Sequence, residues 1–165
     1  WNDVVPTGNA QEKEPAKVPE HVQNYVDLFT ATTGIKIDKE ELIFQSAKVY
    51  NFQRIFNIRM GKGLREHDHA PYRSLGPVTT EEYLSRQERY DKQIVDEMGK
   101  DPSQMSLEEK MAAHRQWRQA RYEKLTDAVY KRRGWTPNGV PTMERLKELG
   151  LDAFPEVVEV VKKHL

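Results

Sequence analysis

The chain has 165 residues, 37% of them hydrophobic and 32% charged, which suits one domain of helices that each bury a single stripe. Its 26 Lys and Arg are balanced by 26 Asp and Glu, so no global field draws it to nucleic acid or an anionic membrane, and it has no apolar run long enough for a membrane span. The absence of cysteine excludes a disulfide framework, a thiolate zinc site, a cysteine nucleophile and iron–sulfur ligation within these residues, and points to a reducing, cytoplasmic setting.

Residues 1–18 carry Pro6, Gly8 and Pro15 among polar residues with no hydrophobic period, and read as an extended connector. The start at Trp1, without an initiator methionine, reads as a cut in a longer chain. Pro19 suits the first residue of a helix to Thr33, with Val22, Tyr25, Val26 and Phe29 on its apolar side and Gly34 as its stop. Asp38 and Glu41 predict a capped helix running to Met60. Apolar residues in nearly every direction around that helix predict burial on most sides, at the centre of the core. Its cations Lys48, Arg54 and Arg59 then need partners, because an unpaired buried charge is costly.

Residues 61–78 read as irregular. The capping boxes Thr79/Glu82 and Ser106/Glu109 predict two long helices, to Met98 and Arg133, pairing as a hairpin, with Gly134 ending the second. A short helix from Pro141 to Gly150 and an amphipathic one from Phe154 to His164 complete an all-α, multihelical reading with one helical domain over 19–165. No segment alternates as a strand.

The densest polar stretch is Arg65-Glu66-His67-Asp68-His69-Ala70-Pro71-Tyr72-Arg73. A His-x-His pair in extended backbone sets both rings on one side, as a metal site needs, with Glu66 or Asp68 available as a third ligand. Lacking a distant further ligand, the pattern reads first as a polar loop whose side chains bond backbone groups, with pocket lining as its functional reading ahead of metal binding, and no metal is expected here. Arg59, at the end of the central helix beside this loop, either bonds free carbonyls or faces a cavity as an anion clamp. His114, on the apolar side of its helix, reads as a core histidine. With no phosphate loop, nucleophile elbow or paired carboxylates, the residues predict a helical domain without catalytic groups of its own.

Two stretches are more distinctive. One is Tyr50-Asn51-Phe52-Gln53-Arg54-Ile55-Phe56-Asn57-Ile58-Arg59 with the following Asp68-x-x-Pro71-x-Arg73, and the other is Tyr130-x-x-Arg133-Gly134-Trp135-x-x-x-Gly139-x-Pro141-Thr142. In this order they resemble the C-terminal part of tungsten-dependent aldehyde ferredoxin oxidoreductases. The resemblance implies a cytoplasmic enzyme of anaerobes that oxidises aldehydes to carboxylic acids, with tungsten or molybdenum held between two pterin dithiolenes beside a 4Fe–4S cluster. It also implies electron transfer to ferredoxin or partner subunits, packing on upstream domains of the same chain, and a possible homo-oligomer. Cluster cysteines and pterin motifs are then expected upstream of Trp1, so this stretch holds no cofactor itself and is inactive alone. Arg59, His67, Asp68, His69, Tyr72 and Arg73 become candidates for the substrate-channel wall, and the second motif a packing element. Two alternatives stay open: the related tungsten subunit of benzoyl-coenzyme A reductases, and a non-catalytic helical protein-interaction module.

Overall fold

A computed structural model describes residues 19–165, and the connector expected over 1–18 lies outside them. The described residues form seven α-helices and no named strand: α1 (Pro19–Thr33), α2 (Lys39–Arg59), α3 (Thr80–Leu84), α4 (Gln87–Met98), α5 (Leu107–Arg133), α6 (Met143–Glu148) and α7 (Pro155–His164). The all-α, multihelical expectation therefore holds. None of these helices is long and apolar enough to cross a membrane.

The chain divides into two compact units. The first runs up to Asp68 and resumes at Asp127; the second is His69–Thr126, so the division falls within α5.

In the first unit, α1 and α7 both pack on α2. Asp38 caps α2 as its sequence indicates, accepting a hydrogen bond from the Glu41 amide at 2.8 Å. The core joins Ile55 and Ile58 of α2 to Val140, Leu146, Leu149, Leu151, Val157 and Val161. The amphipathic α7 contributes Val157 and Val161, four residues apart on one face. Burial of α2 is one-sided, however. Leu42, Asn51, Arg54, Ile55 and Ile58 face inward, whereas Val49, Phe52, Phe56 and Met60 stand exposed. The expectation of burial on most sides is thus corrected for this chain: α1, α7 and the 134–151 segment cover only one flank of α2, and among the described residues of this unit nothing covers the other.

The second motif makes the end of α5. Gly134 (φ +70°) adopts the left-handed conformation that stops the helix, and the Trp135 amide reaches back to the Tyr130 carbonyl at 2.9 Å. Residues 134–142 then close a tight loop: the Thr136 amide donates to Val140 O at 2.8 Å and the Thr142 amide to Gly134 O at 3.0 Å. A Cβ at Gly134 would sit 3.1 Å from three carbons of the Arg145 side chain, besides forcing positive φ on an alanine. Gly134→Ala is expected to cost about 1 kcal/mol in urea unfolding, and Gly134→Asn should recover only the backbone part of that loss, because its Cβ meets Arg145 as alanine's does.

In the second unit the helix expected from Thr79 to Met98 is interrupted. α3 ends at Leu84 and α4 begins at Gln87, because the Ser85 hydroxyl donates to the Glu82 carbonyl at 2.8 Å and takes over an acceptor that the helix would otherwise use. Three contacts tie α4 to α5: Asp91 with Lys110 at 3.1 Å, the Tyr90 carbonyl with His114 at 3.0 Å, and Glu97 with Arg121 at 3.7 Å. From 90 to 97 and from 114 to 121 they advance in the same sense along both helices. The two helices touch through these side chains in the same sense and not as the antiparallel hairpin expected, with residues 99–106 as the returning segment between them.

Candidate functional site

The two distinctive motifs meet in the first unit. Arg54, the only cation among the inward-facing residues of α2, sends Nε to the Gly139 carbonyl at 2.9 Å. Its Nη2 lies 2.6 Å from Asp68 Oδ2 and donates to the Tyr130 hydroxyl oxygen at 3.2 Å. The Tyr130 hydroxyl in turn donates to Asp68, closing a triangle of Arg54, Asp68 and Tyr130. The guanidinium stacks 4.7 Å from the centroid of the Trp135 ring. Trp135 Nε1 donates to Asn51 Oδ1 at 2.7 Å, and the Asn51 amide nitrogen donates to Ala47 O at 2.8 Å, so a fully enclosed asparagine has both ends used. At the rim, Arg133 lies 3.9 Å over the Tyr50 ring.

Burial alone would disfavour the charged guanidinium of Arg54, but the hydrogen bond and charge of Asp68 outweigh it and raise its pKa. For Asp68 burial works toward the neutral acid, and the hydrogen bonds from Arg54 and Tyr130 overcome it, holding the carboxyl below its usual range. Burial, followed by the hydrogen bond to Asp68, pushes Tyr130 up to about 12. All three groups therefore keep one protonation state around neutrality. The triangle is a fixed charge-assisted clamp between α2, the 65–68 turn, the end of α5 and the 134–142 loop, and not an acid–base pair.

The sequence-derived candidates are placed as follows. Arg59 ends α2 and is exposed. His67 is exposed beside Glu66, with Nδ1 3.8 Å from Oε1, and Asp68 belongs to the clamp. The turn that carries them is fixed through Arg65, whose Nη1 donates to Asp127 at 2.6 Å and to the Pro137 carbonyl at 3.1 Å. In the second unit, His69, Tyr72 and Arg73 are exposed. Tyr72 lies under Arg115 at 3.7 Å, and that arginine donates to the carbonyls of Tyr72 and Pro77; Arg73 reaches Glu82 at 3.5 Å. Each unit thus presents its own candidates on a braced loop. Among the described residues no group of three or more His, Cys, Asp and Glu could hold a metal ion.

Arg54, Tyr130 and Gly139 were not among the candidates, although all three stand in the quoted motifs. The available signal was Arg54 itself, one of three cations on an apolar helix that needed partners.

The second unit holds a different buried polar centre. His114 is completely enclosed, packed edge-on to Tyr90 at 5.0 Å and Tyr83 at 5.9 Å. Its Nε2 faces the Tyr90 carbonyl at 3.0 Å and must carry the proton there, which leaves a buried Nδ1 without a partner. Nearby, Asp91 accepts from the Tyr83 hydroxyl at 2.7 Å and pairs with Lys110. Burial lowers the pKa of His114, with Arg118 adding to the effect and the Tyr90 carbonyl and Asp91 opposing it. The folded unit accepts a proton less readily than the unfolded chain, so its stabilising share is complete above the ordinary histidine value. That share is lost as pH falls through the lowered native pKa. The urea midpoint of this unit is expected to fall between about pH 8 and about pH 5, and His114→Phe should flatten that limb.

Comparison with known proteins accords with the motifs. The family model for aldehyde ferredoxin oxidoreductase, domains 2 and 3, matches residues 7–151. Tungsten-containing aldehyde ferredoxin oxidoreductases of Pyrococcus horikoshii and Pyrococcus abyssi are each 24% identical over 131 residues, covering 79% of this chain. The chain spans 16% of the length of either relative. No solved structure matches it. A match that takes in both motifs, together with a fold in which those motifs close one clamp, leads to the conclusion that the chain belongs to the aldehyde ferredoxin oxidoreductase family, within its domains 2 and 3.

Proposed function

We propose that this chain is the helical scaffold of a tungsten-containing oxidoreductase that oxidises aldehydes to carboxylic acids and passes the electrons to ferredoxin. The observation that carries this reading is the convergence of the two family motifs on the Arg54–Asp68–Tyr130 clamp, closed on the Gly139 carbonyl. The clamp ties the turn bearing His67 to the helical core and so sets the position of exposed polar groups to within a hydrogen bond.

A 4Fe–4S cluster does not fit the residues present. The chain has no thiolate to offer, and its described side chains include no metal-ligand cluster, so the cluster and the pterin-bound tungsten belong with other parts of the parent protein. This chain's own contribution is shape and polarity at channel walls, each unit by itself: Arg59 and His67 in the first, and His69, Tyr72 and Arg73 in the second. Asp68 acts through the clamp as a positioning residue.

The test uses the parent protein, produced with tungstate and assayed for aldehyde-dependent reduction of ferredoxin alongside its tungsten content. Tungsten together with aldehyde turnover is the expected result; a purified, folded protein showing neither overturns the assignment. Tyr72→Ala and His67→Ala should change KM across a series of aldehyde chain lengths while tungsten content stays constant. Unaltered KM values in both variants would remove these residues from the channel wall.

A further inference from the structure

Asn138 and Gly139 carry a chemistry that the clamp itself does not use. Asn138 is the one asparagine in the chain followed by glycine. A backbone nitrogen one residue on can attack an asparagine side-chain carbonyl carbon and close a five-membered imide, and glycine, lacking a Cβ, leaves that approach open. Asn138 is exposed, so water reaches its side chain, whereas Gly139 is buried. Both sides of the peptide plane between them are held. The Gly139 amide donates to the Thr136 carbonyl at 2.8 Å, closing a turn with Pro137 and Asn138 at its two central positions, and the Asn138 carbonyl accepts from the Arg65 amide at 3.0 Å. The neighbouring carbonyls are fixed as well, that of Gly139 by Arg54 Nε at 2.9 Å and that of Pro137 by Arg65 Nη1 at 3.1 Å. Attack on the side chain requires the plane to turn about the Asn138 backbone, and that turn breaks both of its hydrogen bonds.

We infer that Asn138 is a self-modification site that the Arg54–Asp68–Tyr130 clamp holds unreactive, and that it converts to aspartate and isoaspartate when the 134–142 loop opens. The step needs only water. The Gly139 nitrogen gives its proton to solvent and forms a bond to Asn138 Cγ; the Cγ–Nδ2 bond breaks, and the side-chain nitrogen takes up a proton and leaves as ammonia. Water then opens the imide at either carbonyl, and nothing is oxidised or reduced. Opening at the main-chain carbonyl gives isoaspartate, which routes the chain through the side-chain methylene and lengthens the path into Gly139. The Gly139 carbonyl then no longer meets Arg54 where the clamp closes. An opening of the loop thus leaves a permanent chemical mark on it. The inference does not depend on the reaction assigned to the parent protein.

Peptide mass spectrometry of the full-length parent chain, held in mildly alkaline buffer, reads the conversion as exchange of the side-chain nitrogen of Asn138 for oxygen. The native chain is expected to convert at least about tenfold more slowly than the same chain unfolded in urea, the protection that two hydrogen bonds confer, and a smaller difference overturns the proposal. Arg54→Lys, which keeps a cation in the clamp but loses its fork, should convert faster than the parent, and Arg54→Ala faster still, with far-UV circular dichroism unchanged. Should Arg54→Ala fail to fold, Arg54→Lys decides alone. A rate equal to the parent's overturns the gating by the clamp. Val161→Ala weakens the same core without touching the clamp. For the same loss of urea stability it should accelerate conversion less than the Arg54 variants do. Equal acceleration overturns the proposal, because Asn138 then reports global unfolding and not the opening of its own loop.

Discussion

Arg54→Ala is expected to destabilise the first unit by about 4 kcal/mol, measured by urea unfolding. The size follows from what the substitution strands. Asp68 and the Gly139 carbonyl each lose the guanidinium, Tyr130 keeps a hydrogen bond to a carboxylate with no counter-ion, and Trp135 loses the group stacked on it. Arg54→Lys should recover only part of the loss, because an ammonium cannot reach Gly139 and Asp68 as a planar fork does. Replacing both members of the pair, as Arg54→Met with Asp68→Leu, should cost less than Arg54→Ala, since no buried charge is then left alone. A double variant as damaged as the single one would show that the clamp matters through packing and not charge.

The same pair sets the acid limit of this unit. The native pKa of Asp68 is lowered, so its contribution is fully present above the ordinary carboxylate value and is lost as pH falls through the native one. Asp68→Asn should lose stability at neutral pH and show a shallower decline below about pH 4 than the parent chain. An acid limb of unchanged steepness would count against the ionised clamp.

Gly139→Ala is expected to cost about 3 kcal/mol by the same measurement. Gly139 has φ +80°, a region that an L side chain enters only with strain, and the added carbon would lie 2.1 Å from Arg54 Nη2 and 2.9 Å from the Tyr130 ring. The end of an arginine side chain is normally free to swing away. Here it can do so only by giving up Asp68 and the Gly139 carbonyl. The loss should accordingly not add to that of Arg54→Ala: in the double variant the clash with the guanidinium is gone, and the combined cost should fall short of the sum by about 1 kcal/mol or more. Strict additivity would mean that backbone strain alone accounts for the glycine.

Much of this architecture is legible in the residues, for identifiable reasons. Asp38, Thr79 and Ser106 accept hydrogen bonds from the amides three residues on, as their capping boxes indicate, because the partners are local and the geometry belongs to the helix end itself. The stop at Gly134 is of the same kind. The break between α3 and α4 is less readable, since Ser85 is also compatible with an unbroken helix. On α5, Lys110, Ala113 and His114 are buried, whereas Trp117 remains partly exposed beneath Arg121, because the neighbouring segments cover only one face of this long helix.

The motifs mark the segments that form the clamp, and the side chains that close it on Asp68 were not singled out within them. His67, His69, Tyr72 and Arg73 stand out in the sequence because they crowd one loop, yet the loop is held by Arg65 in one unit and Arg115 in the other. Asp68 was selected as a channel residue, and its carboxylate is instead committed to Arg54 and Tyr130.

By itself the sequence determined the helical class, most helix ends, the exclusion of cysteine ligation from these residues and the two motifs that carry the family likeness. All of these depend on composition or on neighbours within a few residues. Only the tertiary structure decided that Arg54, Asp68, Tyr130 and Gly139 form one clamp, that His114 is sealed between two tyrosines, and that α2 keeps one apolar flank uncovered. Those outcomes depend on residues tens of positions apart arriving at the same place, and on which flank of a helix its neighbours happen to cover. Local propensity does not encode either of these things.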